Sequence, residues 1–367
     1  MAGSSFGTIF RITTWGESHG KALGVVIDGC PAGLTLCEED IQIYLDRRKP
    51  GSSKIATPRK EDDKVEILSG VFEGKTTGCP ISLIIYNTSQ RSSDYGEIAV
   101  SYRPGHADYT FDEKYGFRDY RGGGRSSGRE TAGRVAAGSI AIKLLKEMGI
   151  TVEAYTKSIG PISISEDVYD RDYMLTSPTA MPDKEACEKA MEYLDSIRAK
   201  QDSAGGVMEC RITGVPAGIG DPVFEKLNAN LSKAVMSIGA VKAVEIGDGC
   251  KVATSNGSMN NDSFVANADG SVSKKTNHAG GILGGISDGS EIKVTAYVKP
   301  TPSIFQSQET INKDHENINL SIQGRHDPII VPRAVVVMEC MCALTLLDSM
   351  MINMSAKLDS MIDFYTK

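Results

Sequence analysis

Residues 23–34, LGVVIDGCPAGL, decide the fold, because a closely similar stretch returns at residues 207–219, VMECRITGVPAGI. In each copy an apolar, strand-like run leads into a Gly-x-Pro-Ala-Gly turn. The pattern that follows each turn predicts an amphipathic helix, over 38–48 in the first copy and over 222–238 in the second. The repeated unit therefore predicts two related α/β halves.

A second repeat follows in the same order. The sequence GVFEG at 70–74 is matched by GILGG at 281–285, and each is followed by an alternating strand, at 81–86 and 292–298. Further elements are predicted as a strand near 151–158, a helix over 184–200 and a long helix after Pro332. We predict one large domain over 1–367, with related halves at roughly 1–150 and 200–350 and a site where the halves meet.

Composition excludes several classes of protein. The chain has 367 residues, 40% hydrophobic and 24% charged, and we find no apolar run near the roughly 20 residues that span a bilayer. A net charge of −7 argues against general nucleic-acid binding. The eight cysteines form no C-x-x-C pair, which indicates a reduced, cytoplasmic protein. The five histidines lack metal-ligand spacing, so no metal site is predicted.

The chemistry is concentrated in residues 103–138, RPGHADYTFDEKYGFRDYRGGGRSSGRETAGRVAAG. Ser127 and Glu130 have capping-box spacing, so a helix is predicted to begin there and run to about Gly149. A glycine loop that opens a helix presents backbone N–H groups and a positive dipole end. The arginines add bidentate contacts to phosphate or carboxylate. We interpret this stretch as the active-site loop.

Four other segments carry candidate residues. His19 lies between glycines in a loop, and Arg325 and Asp327 precede the last long helix. The basic stretch 46–60 fits either a mobile lid over an anionic ligand or cations that complement a helix C-terminus. The stretch 277–285 is too glycine-dense for a simple hairpin and suggests close backbone approach to a ligand. Residues 299–303 offer a plausible phosphate clasp.

Together these motifs resemble the chorismate synthase family. The resemblance rests on 16–20 (GESHG), the block 103–138, and 325–328 (RHDP), supported by 277–281 and 299–301, and it extends over nearly the whole chain. It implies an α/β (α+β) fold with pseudo-twofold duplication, in which helices are sandwiched between mainly antiparallel β-sheets. It also implies a homotetramer.

The resemblance implies a 1,4-anti elimination of phosphate from 5-enolpyruvylshikimate 3-phosphate, which yields chorismate. Reduced FMN is required without net redox change, and NADPH could serve as an indirect reductant. Residues implied to bind the flavin are Arg125, Ser126, Ser127, Gly239, Ala240, Gly284, Lys299, Pro300, Thr301, Pro302, Ser303 and Arg325. Residues implied to bind the substrate are Arg48, Lys54, Arg103, Arg129 and Arg325, of which Arg48 and Lys54 could instead contact NADPH.

Proton-transfer roles also follow from the resemblance. His106 is expected as the acid near flavin N1 and His19 as the acid near the departing phosphate. Asp327, with Ser126, is expected to handle the proton at flavin N5. Two alternatives stay open: a flavin oxidoreductase that acts on a multiply anionic substrate, and an RNA-binding role for the glycine-arginine segment 121–125.

Overall fold

The structure, a computed structural model, describes residues 3–51, 62–88, 99–322 and 327–366. The strands are β1 (Ser5–Phe6), β2 (Arg11–Gly16), β3 (Ala22–Asp28), β4 (Val65–Ile67), β5 (Val71–Phe72), β6 (Lys75–Thr76), β7 (Ile81–Tyr86), β8 (Thr151–Ile159), β9 (Ile162–Ser163), β10 (Gly206–Thr213), β11 (Val241–Ile246), β12 (Phe264–Ala266), β13 (Val272–Lys274), β14 (Ile282–Leu283), β15 (Ile286–Ser287), β16 (Ile292–Val298), β17 (Gln308–Ile311) and β18 (Asn317–Leu320).

The helices are α1 (Glu38–Arg48), α2 (Asp108–Tyr115), α3 (Thr131–Glu147), α4 (Arg171–Thr176), α5 (Lys184–Ala199), α6 (Leu227–Met236), α7 (Gly257–Asn260), α8 (Val331–Asn353) and α9 (Leu358–Tyr365). Most predicted elements are confirmed to within a few residues. The helix predicted over 222–238 is shorter, because the chain forms α6 only from Leu227 onward.

Two five-stranded antiparallel sheets enclose a layer of helices. Their strand orders are β1-β2-β3-β7-β4 and β11-β16-β10-β8-β9. Helix α3 packs against β3 and α8, and α8 packs against β8 and β10. The alternating strands explain this arrangement, because every second side chain is apolar and faces the helices, as for Ile81, Leu83 and Ile85 in β7. The predicted α+β fold with helices between antiparallel sheets is confirmed.

The same order of elements occurs twice along the chain. The first sheet and its helices follow the order β2, β3, α1, β4, a β5–β6 hairpin, β7 and α3. The second sheet and its helices follow the order β8, β10, α6, β11, a β14–β15 hairpin, β16 and α8, with additional short elements between them. The second series begins at β8, close to residue 151 and earlier than the predicted boundary near 200.

The central helices approach each other closely at Gly138. A Cβ at this position would lie 2.2 Å from the Cβ of Cys340, so only glycine allows α3 and α8 to cross at this distance. Helix α8 is buried on nearly all sides. By length and composition α8 could cross a membrane, so the prediction that no apolar run approaches 20 residues is wrong. However, 72% of the most apolar window of this helix is buried inside the protein. Its apolar character is therefore that of a core helix.

Candidate active site

A cavity of about 710 Å³ lies where the ends of four helices meet. Its wall contains the C-terminal ends of α1 and α6 and the N-terminal ends of α3 and α8. The loop around His106 and the segment after β16 complete it. The volume is in the range of small-molecule and cofactor sites. The site therefore lies between elements of the two related series.

The cavity is strongly positive. Among the described residues, eight cationic side chains line it, namely Arg48, Arg103, Arg125, Arg129, Arg134, Lys242, Lys299 and Arg333. Three carboxylates from the same part of the chain line it as well, those of Asp108, Glu130 and Asp327, so the described lining has an excess of five positive charges. The whole chain carries a net charge of −7, so the positive charge is concentrated here. The N-terminal dipole ends of α3 and α8 add to a field that favours anions.

Most of the predicted site residues line this one cavity. They are Arg48, Arg103, His106, Arg125, Ser126, Ser127, Arg129, Gly239, Ala240, Lys299, Thr301, Pro302, Ser303 and Asp327. Pro300 does not line it; its ring lies instead beside Gly205. Lys54 and Arg325 lie outside the described residues.

The chain enters α3 through two 3-10 turns, Gly124–Ser126 and Gly128–Glu130. The Ser127 hydroxyl accepts a hydrogen bond from the backbone N–H of Arg129 at 3.2 Å, so Ser127 is a cap as predicted. The predicted capping box does not form, because the tighter turn brings the backbone N–H of Arg129, rather than that of Glu130, to the Ser127 hydroxyl. Glu130 instead pairs with Arg134 at 2.8 Å.

Arg125 joins the glycine loop to the first sheet. Its Nη1 donates to the carbonyl oxygen of Gly16 at 3.1 Å, and its Nη2 donates to Thr14 Oγ1 at 2.7 Å. A guanidinium presents its donors in a planar fork, so this contact orients the whole loop. Arg125 thus fixes the position of the helix entrance as well as lining the cavity.

His106 is held by two hydrogen bonds, at 3.0 Å between Nδ1 and the Pro104 carbonyl oxygen and at 2.8 Å between Nε2 and Ser303 Oγ. A carbonyl oxygen can only accept, so in the neutral ring Nδ1 carries the proton and Nε2 accepts from Ser303. Burial, followed by the positive charge of Arg103, lowers the pKa of His106 to about 4. Without a bound anion the ring is therefore neutral at pH 7.

Asp327 is paired with Arg333 at the start of α8. The Nε of Arg333 also donates to the backbone carbonyl oxygen of Arg48 at 2.9 Å. Arg333 therefore connects the predicted proton carrier, Asp327, to the C-terminal end of α1.

Arg48 belongs to the cavity wall. It is 2% exposed, and burial lowers its pKa to about 10 although Asp63 opposes that change. Of the two interpretations of 46–60, the structure supports the helix C-terminus for Arg48, which is the last residue of α1. Lys54 and the other cations of the predicted lid, Arg59 and Lys60, lie outside the described residues.

The glycine-rich stretch 277–285 differs from the prediction. Its second part is a tight hairpin, β14–β15, whose turn contains Gly284, and Gly284 does not line the cavity. The close approaches are to other backbone: a Cβ at Gly280 would lie 2.4 Å from the Gly247 nitrogen, and one at Gly285 would lie 2.6 Å from the Asp221 oxygen. These glycines therefore allow loops to pack against each other.

His19 lies behind the glycine loop and does not line the cavity. Its Nδ1 is 3.0 Å from Ser18 Oγ, and a Cβ at Gly122 would be 2.1 Å from that nitrogen. The adjacent Gly123 lines the cavity. Only a glycine at 122 therefore lets the histidine approach the loop this closely.

Several charged residues of the site were not predicted. Asp63 pairs with Arg48 and Arg129, and Arg134, Lys242 and Arg333 line the cavity. Arg134 had a detectable signal, since it lies in the arginine-rich stretch with i, i+4 spacing to Glu130. Nothing in the sequence indicated Asp63, because it lies among other charged residues at 59–64. Within the described ranges no group of three His, Cys, Asp or Glu side chains could hold a metal ion.

The comparisons with known proteins agree on one family. The sequence model described as "Chorismate synthase" matches residues 10–351. Proteins named chorismate synthase from Lachnospira eligens and Agathobacter rectalis are 66% and 63% identical over 367 residues, which is 100% of each chain. A solved structure entitled "Crystal Structure of Chorismate Synthase" aligns with a TM-score of 0.77 and 30% identity, covering 98% of this chain and 97% of that one.

These matches do not favour the oxidoreductase alternative, since the same activity is named for full-length relatives at high identity. They also agree with a cavity whose charge suits a small, multiply anionic substrate. The chain therefore belongs to the chorismate synthase family, and it is a lyase of the shikimate pathway that forms chorismate by eliminating phosphate from 5-enolpyruvylshikimate 3-phosphate.

Proposed function

We propose that this elimination takes place in the cavity between α1, α3, α6 and α8, with reduced FMN bound beside the substrate. The observation that carries the proposal is the excess of five positive charges among the described residues that line a cavity of about 710 Å³. The substrate has two carboxylates and a phosphate of roughly −1.5 to −2 charge. That combination matches the concentration of arginines better than a neutral or singly charged substrate would.

The residues present fit a flavin mononucleotide. The cavity offers cations and a helix N-terminus for the FMN phosphate, and Thr301 Oγ1 is a buried polar atom without a hydrogen-bond partner in the described part of the chain. We propose that Arg125, Ser126 and Ser127, Gly239 and Ala240, and Lys299 and 301–303 hold the cofactor. When bound, reduced FMN supplies an electron transiently and regains it, so that no net oxidation occurs.

The arginines bind and orient the substrate. Arg48, Arg103 and Arg129 line the cavity in a buried or half-buried setting, where charge-assisted hydrogen bonds are stronger than in water. Burial of both ligands excludes water from the reacting bonds. We propose that these arginines contact the phosphate and carboxylates, with Arg134 and Arg333 completing the positive wall.

His106 is proposed as the residue that transfers a proton near flavin N1. In the protein without ligands its pKa is about 4, so at neutral pH the ring is the neutral imidazole and lacks the acidic second proton of the imidazolium. An anion bound in the cavity favours the charged imidazolium and raises that pKa. His106 is therefore expected to become an acid only when the anionic ligands are in place, which couples proton supply to binding.

Asp327 and Ser126 are proposed to manage the proton at flavin N5. The Asp327 carboxylate is held by Arg333, and the Ser126 hydroxyl donates to the Gly123 carbonyl oxygen at 2.7 Å. His19 is proposed as the acid at the departing phosphate. Its place behind Gly122 means that the substrate must reach the rim of the glycine loop for this role.

We propose an external source of reductant rather than bound NADPH. Arg48, one of two residues considered for NADPH, is buried in the wall and paired with Asp63. We further propose a cytoplasmic homotetramer whose protomer is one domain of two related halves. The repeated strand order supports the duplication. The exposed apolar side chains of α9, such as Leu358 and Phe364, support association, which light scattering would measure.

The deciding experiment is anaerobic turnover. Purified protein, substrate and a catalytic amount of reduced FMN should release phosphate and chorismate in equal amounts over many turnovers. Consumption of one reduced flavin or one NAD(P)H for each product would instead show a net redox reaction and refute the proposal.

A further inference from the structure

Strand β11 contains a β-bulge beside the cavity. Val241 is opposite Val298 of β16, and Ala243 is opposite the residue before it. Lys242 is therefore an extra residue of β11 that has no opposite partner. Bulges of this kind change the direction of a side chain and are common next to active sites. Lys242 is exposed and lines the cavity, so the bulge brings to the cavity a cation that has no role in the reaction described above.

A second lysine, Lys299, lies next to this bulge. It directly follows β16, and its backbone N–H donates to the carbonyl oxygen of Ala240, the residue before β11, at 2.9 Å. Its Nζ donates to the Gly105 carbonyl oxygen at 2.9 Å, and Lys299 also lines the cavity. Partial burial, followed by the positive charge of Lys242, lowers the pKa of Lys299 below its ordinary value. The two ammonium groups are therefore near enough to repel each other.

Neither ammonium group is neutralised by a carboxylate of the described residues. The three carboxylates of the described cavity lining are paired with arginines, and no salt bridge joins Lys242 or Lys299 to an acidic side chain in this part of the chain. Two like charges that lie near each other without a counterion are unfavourable, and an anion bound beside both removes this cost. The arrangement therefore indicates an anion site.

The hydroxyl group of Thr301 offers a further contact for this anion. Thr301 lies two residues after Lys299 and lines the cavity, and its Oγ1 is buried without a hydrogen-bond partner in the described part of the chain. Buried polar atoms nearly always have a partner, so a ligand oxygen is expected there. Two ammonium groups and a hydroxyl donor match a phosphate monoester, with its charge of roughly −1.5 to −2, better than a singly charged carboxylate.

We propose that Lys242 is a further ligand-binding residue, which together with Lys299 binds the phosphate group of a phosphate monoester in the cavity. Two ligands of the proposed reaction carry such a group, the cofactor FMN and the substrate, so this inference rests on the proposed function. The position of Lys242 beside Ala240 and Lys299, both proposed to hold the cofactor, favours the phosphate of FMN. The test separates the two sources.

The test compares Lys242→Gln with wild type and with a matched control, Lys251→Gln. Lys251 is also an exposed lysine, in the 3-10 turn that follows β11, but it does not line the cavity. Both substitutions therefore remove one positive charge from the same region. Calorimetry at one ionic strength measures the Kd of oxidised FMN, of riboflavin, which lacks the phosphate, and of the substrate with saturating oxidised FMN. A third variant, Lys242→Arg, keeps the charge.

Lys242→Gln should raise the Kd of FMN by about tenfold or more, because a charge-assisted hydrogen bond to the phosphate is lost, and should change the Kd of riboflavin by less than about twofold. Lys242→Arg should recover most of the FMN affinity, and Lys251→Gln should bind as wild type does. If the substrate's phosphate occupies the site, the same rise appears in the Kd of the substrate instead, which also supports the proposal. Unchanged Kd values for both FMN and the substrate, or an equal weakening of FMN and riboflavin, would overturn it.

Failure of the proposed function gives a different result. The Kd values are measured without turnover, so they do not depend on the reaction. If wild type binds FMN and the substrate but forms no chorismate, the proposed function fails, whereas the comparison of FMN with riboflavin in Lys242→Gln still decides whether Lys242 binds a phosphate. If wild type forms chorismate and Lys242→Gln binds both ligands as wild type does, only the inference about Lys242 fails.

Discussion

Replacing Arg103 by Gln should raise the pKa of His106. Burial is the largest cause of the low pKa of this histidine, about 4, and the positive charge of Arg103 is the second. Arg103 is paired with Asp108 through two contacts of 2.7 Å. The substitution therefore replaces a neutral ion pair beside the imidazole with a bare carboxylate, which favours the charged imidazolium.

The size of the effect follows from Coulomb's law. A unit charge about 6–8 Å away, at an effective dielectric constant of about 20, contributes roughly 2–3 kcal/mol. That corresponds to about 1.5–2 pKa units. Because the burial remains, we expect the pKa of His106 in the variant to reach about 5.5–6 and to stay at or below the ordinary value of about 6.5.

Nuclear magnetic resonance can measure this directly, since the chain has only five histidines whose ring signals must be assigned. Loss of one signal in His106→Gln identifies the residue. Arg121→Gln is the matched control, because Arg121 forms a similar ion pair with Asp119 on the surface. This variant should leave the pKa of His106 unchanged. A pKa for His106 that is unchanged or lower in Arg103→Gln would refute the electrostatic reasoning.

The same shift predicts how stability depends on pH. The unfolded chain protonates His106 near pH 6.5, whereas the folded protein resists protonation until about pH 4. The unfolded state thus binds more protons in this window, and stability should fall as the pH decreases from 6.5 to 4. The loss from this residue is at most about 3 kcal/mol. Urea unfolding of wild type and His106→Gln at several pH values would show a smaller loss in the variant.

Three further outcomes are expected. Arg129→Ala should still bind FMN but lose most of the mutual reinforcement between FMN and substrate, and calorimetry with oxidised FMN would contradict this if the coupling survived. Asp327→Asn should bind both ligands but lower kcat by about 10²-fold, and a defect confined to binding would remove its proton role. Gly138→Val should destabilise the protein by about 3 kcal/mol or more in urea unfolding because of the contact with Cys340, whereas Gly257→Ala, which has open space around it, should be nearly neutral.

The sequence was sufficient for the local elements. The strands over 81–86 and 292–298 have the predicted bounds, because alternation of apolar residues is set by the geometry of the strand itself. The helix over 38–48 was equally predictable from the helical spacing of its apolar residues and from the basic residues in its last turn. The helix near 222–238 was overextended, since its first residues remain in an irregular, exposed segment.

The sequence by itself also determined the residue types of the site, because His106, Arg125 and Arg129 lie in one short stretch whose glycines and arginines are characteristic of anion binding. Only the tertiary structure decided how their charges are compensated. Asp63 meets Arg48 and Arg129 because the chain after α1 returns to the start of α3, and nothing in its neighbouring residues indicates that contact. Secondary structure depends on interactions between near neighbours, whereas the pairing of buried charges depends on which distant segments pack together.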